Sequence, residues 1–525
     1  MKLWTNGTFY TMEKEGATTD AVLTDQGKIV AVGQEAILCD AAEKVDLDGA
    51  IVFPGFVDSH LHLLWYGQFL DRLRLTDTAS KQEALARIAE RVEKLAPDEW
   101  LFVEGYDENK WQDQSTLLTR DELDQVSAGH PVLVRRIDYH SVSVNSALIE
   151  ATGLTADANF TGGGAIDTDE TGRLTGVLRD NATTVVIDAF PVATREELGR
   201  WLRLAVRDLW AKGVTGGHSE DLHYFNGFKG TLAAFRDTLT EDFPFRAHLL
   251  VHNAELEAFC QSGEQFVSGD PFLELGAMKI FYDGTVGSRT ALMSRPYADD
   301  PENQGLQIQS DEEFEAMVKR ARDAGLPVAI HILGDLAFQK VIRTLKKFPP
   351  QQGQLDRMIH TPWLRDDLLE EAAGMPICFD LQPQFMSSDL PWALDVLGSE
   401  HPERAFAWKT LIDRGFQVSF GSDAPIETPN PFYGIHAAVT RTASQDLNGR
   451  RYFEEEALSV YEAIHSYTAK TAAISYKQGE RGKIAPGYAA DFTMTRENPF
   501  EVEEARLREL EVVRTVVAGR TVFEK

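Results

Sequence analysis

The sequence predicts an α/β protein built on a (β/α)₈ TIM barrel, with a small sheet domain made from both chain ends and a large insertion after the first barrel strand. Three observations carry that prediction. The middle of the chain alternates short apolar runs with amphipathic stretches of helical period, the pattern of parallel βα units. Both ends are rich instead in short strand-like runs broken by turn residues. The stretch between the first and second apolar runs is far too long to be a structureless loop.

In chain order, Trp4–Tyr10 carries a hairpin signal at Asn6-Gly7, and Ala21–Leu23 and Lys28–Val32 flank the turn Asp25-Gln26-Gly27. Eight apolar runs then read as barrel strands: Ile51–Asp58, Val214–Ser219, Phe245–Val251, Leu275–Tyr282, Pro327–His331, Arg357–Thr361, Ile377–Gln382 and Gln417–Asp423. Helical stretches separate the later ones, among them Asp311–Ala324 and Leu336–Lys347. Residues of about 64–196 form the insertion, with a helical piece at Gln82–Leu95, strands at Trp100–Glu104 and Val132–Arg136, and a turn at Gly162-Gly163-Gly164. The tail returns to strands at Asp491–Thr495, Glu511–Val517 and Arg520–Phe523, the last two flanking Ala518-Gly519. The expected division is therefore 1–50 with 480–525 as one composite domain and 51–479 as the barrel.

Length and composition agree with this. A chain of 525 residues accommodates one large barrel and a smaller domain, and 43% hydrophobic with 26% charged residues is ordinary for a globular protein. The net charge of −30, from 82 acidic and 52 basic residues, repels phosphate backbones and anionic lipid. Nucleic acid and membrane surfaces are thus not expected as partners; a small-molecule substrate is, and a homodimer is the base-rate assembly. Cys39, Cys260 and Cys378 lie far apart, fit a reducing compartment, and are each expected in buried apolar packing. With no apolar leader in Met1–Gly7 and no long apolar span, the expected location is cytoplasmic.

The chemistry is concentrated at strand ends. Pro54-Gly55-Phe56-Val57-Asp58-Ser59-His60-Leu61-His62 closes an apolar run with two histidines at i and i+2, which share a strand face. His331 ends the fifth run, His360 the sixth and Asp423 the eighth. Each alone is more often a structural histidine or a capping aspartate; recurring together at strand ends they form the imidazole–carboxylate set that zinc-like ions prefer. Lys279 lies in the apolar run Gly276–Phe281, where burial favours the neutral amine. Such an amine takes up carbon dioxide to give a carbamate suited to bridging two cations. The ordinary alternative is a lysine that reaches the barrel mouth and pairs with Asp283.

These stretches resemble the amidohydrolase superfamily, and specifically its branch of YtcJ-like proteins with N-substituted formamide deformylase (amidohydrolase family 3). The matching segments are PGFVDSHLHL at Pro54–Leu63, KIFYDGTVGSRTAL at Lys279–Leu292, VAIHILGD at Val328–Asp335 and FGSDAPIETPNP at Phe420–Pro431. GGGAIDTDETGRLTGVLRD at Gly162–Asp180 and GKIAPGYAADF at Gly482–Phe492 resemble it too, so the similarity runs nearly end to end. The resemblance implies that His60 and His62 hold the more buried ion with Asp423, that His331 and His360 hold a second, and that carboxylated Lys279 bridges them. It also implies a composite β-sandwich from both termini. The sequence departs from relatives at Gly217-His218-Ser219, where His-Asp is frequent, and at Thr361-Pro362-Trp363 after His360.

The implied cofactors are two divalent metal ions, zinc first and manganese, iron or cobalt suited to the same donors, with carbon dioxide as the lysine carbamate. The implied function is hydrolysis of a C–N bond in an amide or N-substituted formamide. Metal-activated hydroxide attacks, and Asp423 serves as general base and then acid. His140 is the candidate oxyanion donor from the insertion, and Asp283, Arg289, Arg441 and Trp65 are candidate pocket residues, with Tyr66 beside Trp65. Each has an ordinary structural reading: turn, ion pair or core. His218 faces the barrel interior only if the strand phase allows, and His130, His223, His248, His252, His401, His436 and His465 are read as structural. Two rival readings are a mononuclear deaminase of the same superfamily, which would lack the bridging lysine, and a catalytically silent regulatory or binding relative.

Overall fold

The computed structural model describes residues 1–525 except 138–139, 157, 159–163, 399–403 and 447. Gly162, Gly163 and His401 thus lie outside the described residues. The chain divides into two compact units, Met1–Gly67 with Thr194–Lys525, and Gln68–Ala193.

The larger unit contains a parallel sheet whose eight strands follow one another in chain order: β1 (Phe56–Leu61), β2 (Val214–Ser219), β3 (Arg246–His252), β4 (Leu273–Phe281), β5 (Val328–Ile332), β6 (Asp356–His360), β7 (Ile377–Leu381) and β8 (Gln417–Phe420). The first and last strands meet just past their C-terminal ends. Asp423 N–H donates to His60 O at 2.6 Å and His62 N–H to Ala424 O at 2.8 Å, which brings the sheet close to a closed barrel. Helices such as Asp311–Asp323 and Asp335–Lys347 intervene between the strands. The barrel strands are buried along nearly their whole length, which is why they read as continuous apolar runs.

The first run is divided where the sequence suggests a single strand. Gly55 separates Ile51–Pro54 from β1, because Ile51–Pro54 pairs antiparallel with Phe492–Thr495, Phe53 opposite Thr493. That pairing joins both chain ends in one eight-stranded sheet. In spatial order it runs Arg520–Glu524, Val512–Val517, Phe492–Thr495, Ile51–Pro54, Lys2–Tyr10, Thr18–Asp25 and Lys28–Val32, with Glu43–Asp46 beside Lys2–Tyr10. Trp4, Phe9, Val22, Val52, Phe492 and Met494 pack in its core. The hairpin suggested at Asn6-Gly7 does not form. Lys2–Tyr10 is one strand, and Asn6, at φ 57°, sits where its register shifts against Thr18–Asp25. A residue in the left-handed region can make a bulge as well as a turn. True turns stand at Gln26-Gly27 and Ala518-Gly519, all four at positive φ.

The unit Gln68–Ala193 is built on its own six-stranded sheet, ordered Ala165–Thr168, Leu174–Arg179, Ser141–Val144, Val132–Arg136, Leu101–Tyr106 and Leu73–Arg74. Two apolar cores pack in this unit, one around Ile88, Val103 and Val134 and the other around Leu133, Val144 and Leu178. Of the cysteines only Cys378 is buried. Cys39 and Cys260 are exposed, so the expectation of buried packing fails for both. Among the described residues no helix is long and apolar enough to cross a membrane.

Candidate metal centre

Strand alternation sends His60, in β1, and His62, one residue past its end, to the same face. Asp58, two residues earlier, clamps this segment to the loop after β8. Its Oδ1 accepts the N–H groups of His60 (3.1 Å) and Ser422 (3.0 Å), and its Oδ2 accepts the Ser422 hydroxyl (2.6 Å). Gly421 permits the approach, since a Cβ there would stand 2.4 Å from the His60 nitrogen. Asp423 and His360 both take left-handed backbone, φ 59° and 69°, at the ends of β8 and β6. Non-glycine residues held there cost of order 1–3 kcal/mol and cluster at functional sites.

The side chains converge. Asp423 Oδ1 lies 3.5 Å from His60 Nε2 and 3.3 Å from His62 Nε2. One donor atom from each of these three residues falls within 4.8 Å of the others. Two donors at ~2.0–2.1 Å from a tetrahedral ion stand about 3.3 Å apart, so the set fits a zinc-like cation. The His360 ring stands 5.5 Å from that of His60 and 4.7 Å from that of His331. His360 Nδ1–H donates to Gln382 Oε1 at 2.6 Å, which leaves its Nε2 lone pair for a metal.

Lys279 is 1% exposed, with Nζ 3.4 Å from His60 Nε2 and 4.6 Å from the centroid of Phe281. Burial pushes its pKa down against the pull of Glu220, Asp423 and Asp380. It does not reach Asp283, whose carboxylate is fully engaged by the N–H groups of Leu292 (2.9 Å), Leu333 (2.9 Å) and Gly334 (2.8 Å). Burial, with the positive charge of Lys279 or His360 nearby, holds His60 and His331 well below the usual histidine range, and burial lowers His360 to about 4. Burial opposes charge on His62 as well, but its bond to Asp423 raises it. Burial works against ionised Asp423, yet His62 and the neighbouring positive groups keep it below the ordinary carboxylate value. Neutral His60, His331 and His360 beside ionised Asp423 are the protonation states a cation requires, whereas His62, held protonated more strongly by Asp423, would give up its proton on binding one.

Of the candidate pocket residues, only Trp65 borders these groups, stacked on His62 at 4.8 Å and 29°, with Tyr224 a further 4.8 Å away. Tyr66 turns aside to donate to Asp208. Asp283 is a tie between loops, as its three amide bonds show, and is not free to hold a substrate. Arg289 pairs with Asp299, and Arg441 is buried against the carbonyls of Tyr452, Phe406 and Ala405. His140, in the unit Gln68–Ala193, stands with Nδ1 3.1 Å from Asp180. His218 does face the barrel interior, 3.1 Å from the Arg357 guanidinium, which also bonds Asp380 and the Ser59 carbonyl. Asp58, Gln382, Arg357 and Asp380 went unremarked in the sequence. Their one signal was a polar side chain inside or at the end of an apolar run.

A parallel barrel that gathers imidazoles and a carboxylate at the ends of its strands defines the class of metal-dependent hydrolases. Within that class the chain belongs to the amidohydrolase family, whose model matches residues 43–523. It is 43% identical over 529 residues to the amidohydrolase-family protein YtcJ of Bacillus subtilis (strain 168), covering 100% of this chain and 99% of that protein. It is 25% identical over 550 residues to the N-substituted formamide deformylase of Arthrobacter pascens, covering 99% of this chain and 98% of that enzyme. The crystal structure of an uncharacterized metal-dependent hydrolase from Pyrococcus furiosus matches with a TM-score of 0.80 at 26% identity, covering 95% of this chain and 100% of that one.

Proposed function

We propose that this amidohydrolase cleaves a C–N bond in an amide or N-substituted formamide, using two divalent ions, zinc by ligand preference. The observation that carries the reading is the convergence of His60, His62 and Asp423 with Lys279 against His60. The similarity to N-substituted formamide deformylase supports the bond class. His60, His62 and Asp423 would hold one ion, and His331 and His360 the other. Ions so held polarise a carbonyl and lower the pKa of water toward ~7.

The remaining work falls to the chain. Lys279, whose buried amine is biased toward the neutral form, would add carbon dioxide and release a proton to solvent, giving an anionic carbamate able to help hold the ions. Ionised Asp423 accepts a proton from the attacking water and passes it to the departing nitrogen, because amines leave poorly without one. Trp65 walls the substrate beside His62. The test is metal analysis of protein supplied with zinc and bicarbonate, followed by a screen of amides, formamides, esters and lactones. About two ions per chain and turnover of C–N substrates are expected. One ion per chain with deamination would favour the mononuclear reading. Protein that binds no ion tightly and hydrolyses nothing would overturn the proposal.

A further inference from the structure

Two buried polar atoms beside the metal centre are left idle. His62 Nδ1 and Glu220 Oε1 are each shielded from solvent, and neither has a hydrogen-bond partner. They belong to neighbouring side chains, with His62 Nδ1 3.9 Å from Glu220 Oε2. One is a donor when the ring carries its proton on Nδ1, and the other is an acceptor when the carboxyl group is ionised. Leaving a buried donor or acceptor unmade costs ~1–3 kcal/mol each, so a small shift that brings Nδ1 onto the Glu220 carboxylate, whose Oε2 is 3.9 Å away, is favoured.

The backbone explains why Glu220 faces His62. In Ser219-Glu220-Asp221, which closes β2, alternate side chains point oppositely. Ser219 Oγ accepts the N–H of Leu63 (3.0 Å) and Asp221 Oδ2 that of Leu64 (2.9 Å), fixing the turn that follows His62. Glu220 points the other way, is 0% exposed, and has its Oε2 bonded by the Tyr224 hydroxyl at 2.9 Å. The His62 ring therefore lies between two carboxylates, Nε2 toward Asp423 and Nδ1 toward Glu220.

We infer that Glu220 is a positioning residue of the metal centre, accepting Nδ1–H of His62 and so presenting the Nε2 lone pair to the ion shared with Asp423. A carboxylate behind a ligating histidine fixes tautomer and ring orientation, and its loss commonly weakens metal binding ~10–100-fold. The inference rests on the metal-dependent reading above and assigns a role to a side chain that reading leaves unused.

The experiment measures zinc affinity by competition with a chromophoric chelator, for the unsubstituted protein, Glu220→Ala, Glu220→Gln and His62→Ala/Glu220→Ala, with circular dichroism to verify folding. Glu220→Ala should bind zinc ~10–100-fold more weakly, whereas Glu220→Gln, whose amide oxygen still accepts Nδ1–H, should stay within a few-fold of the unsubstituted protein. The double variant should bind no more weakly than His62→Ala alone. Equal affinity in folded Glu220→Ala would overturn the role while leaving the metal-dependent reading intact. So would a Gln variant as weak as the Ala variant, which would make the carboxylate a direct ligand. Failure of the unsubstituted protein to bind zinc would overturn both.

Discussion

In the proposed reaction Asp423 carries more of the chemistry than any other single residue, because it would both bind a cation and move a proton. Its backbone sits at φ 59°, its N–H is tied to His60 O, and its Oδ1 faces two imidazole nitrogens. Asp423→Asn keeps the shape and removes the charge and the proton acceptor. Turnover should fall at least ~10²–10⁴-fold, the usual contribution of a positioned acid–base group, and zinc content should fall with it. Steady-state kinetics and metal analysis on the same preparation check this; an Asn variant with unchanged kcat would remove Asp423 from the proton path. Gly421 makes a second case. A methyl group there meets the His60 nitrogen at 2.4 Å and Asp58 Oδ1 at 2.7 Å, both in the clamp that sets the ligands. Gly421→Ala should therefore lower Tm by about 1–3 °C, in line with ~1–3 kcal/mol of overpacking in a chain of 525 residues, and weaken metal binding as well. A variant that melts normally and binds zinc normally would show that the clamp yields freely.

At the scale of elements, the strand ends matter because loops hang from them, and Asp283 shows how two such loops are held. It follows β4, and its buried carboxylate gathers amides from Leu292 in its own loop and from Leu333 and Gly334 after β5. Asp283→Ala strands three buried N–H donors at ~1–3 kcal/mol each, so the chain should lose more than ~3 kcal/mol by urea unfolding. Limited proteolysis should cut first within 284–293; an unchanged cleavage map would mean that the loops are held by other contacts. The same residue marks the limit of legibility. The barrel strands could be read because burial on both faces leaves continuous apolar runs, and His60, His62, His331, His360 and Asp423 stood out as polar ends on such runs. What could not be read is pairing across long separations. Asp58 meets Ser422 over 364 residues, and Ser59 meets Asp380 over 321. The division at Gly55 was hidden for the same reason, since only the partner strand Phe492–Thr495 reveals that Ile51–Pro54 belongs to another sheet. Asn6-Gly7 misled because a positive φ serves bulges and hairpin turns alike.

At the scale of the whole larger unit, the terminal sheet is locked to the opposite end of the barrel by charge. Arg246, at the start of β3, donates to Asp491 at 2.9 Å, just before the strand Phe492–Thr495. Glu274, near the start of β4, lies 3.3 Å from both Lys477 and Arg481, in the segment leading to that strand. Its other neighbour, His248, stands 3.5 Å away, its own pKa lowered by burial. Burial disfavours ionised Glu274, yet its hydrogen bond to His248 and the charges of His248, Arg481 and Lys477 outweigh it and bring its pKa from 4.5 down to about 2. A carboxyl group with a depressed folded pKa contributes stability that is fully present above its unfolded value and is lost as pH falls. The window here runs from pH 4.5 down to about 2, and the full contribution near neutrality is about 3 kcal/mol as an upper figure. Glu274→Gln should therefore be less stable than the unsubstituted chain by roughly 2–3 kcal/mol at pH 7 in urea unfolding. The gap should narrow as pH drops below 4.5, because the unsubstituted chain is then losing the same contribution. A gap that stays constant from pH 7 to pH 3 would mean that Glu274 holds sheet and barrel together by shape and hydrogen bonding, with its charge contributing nothing.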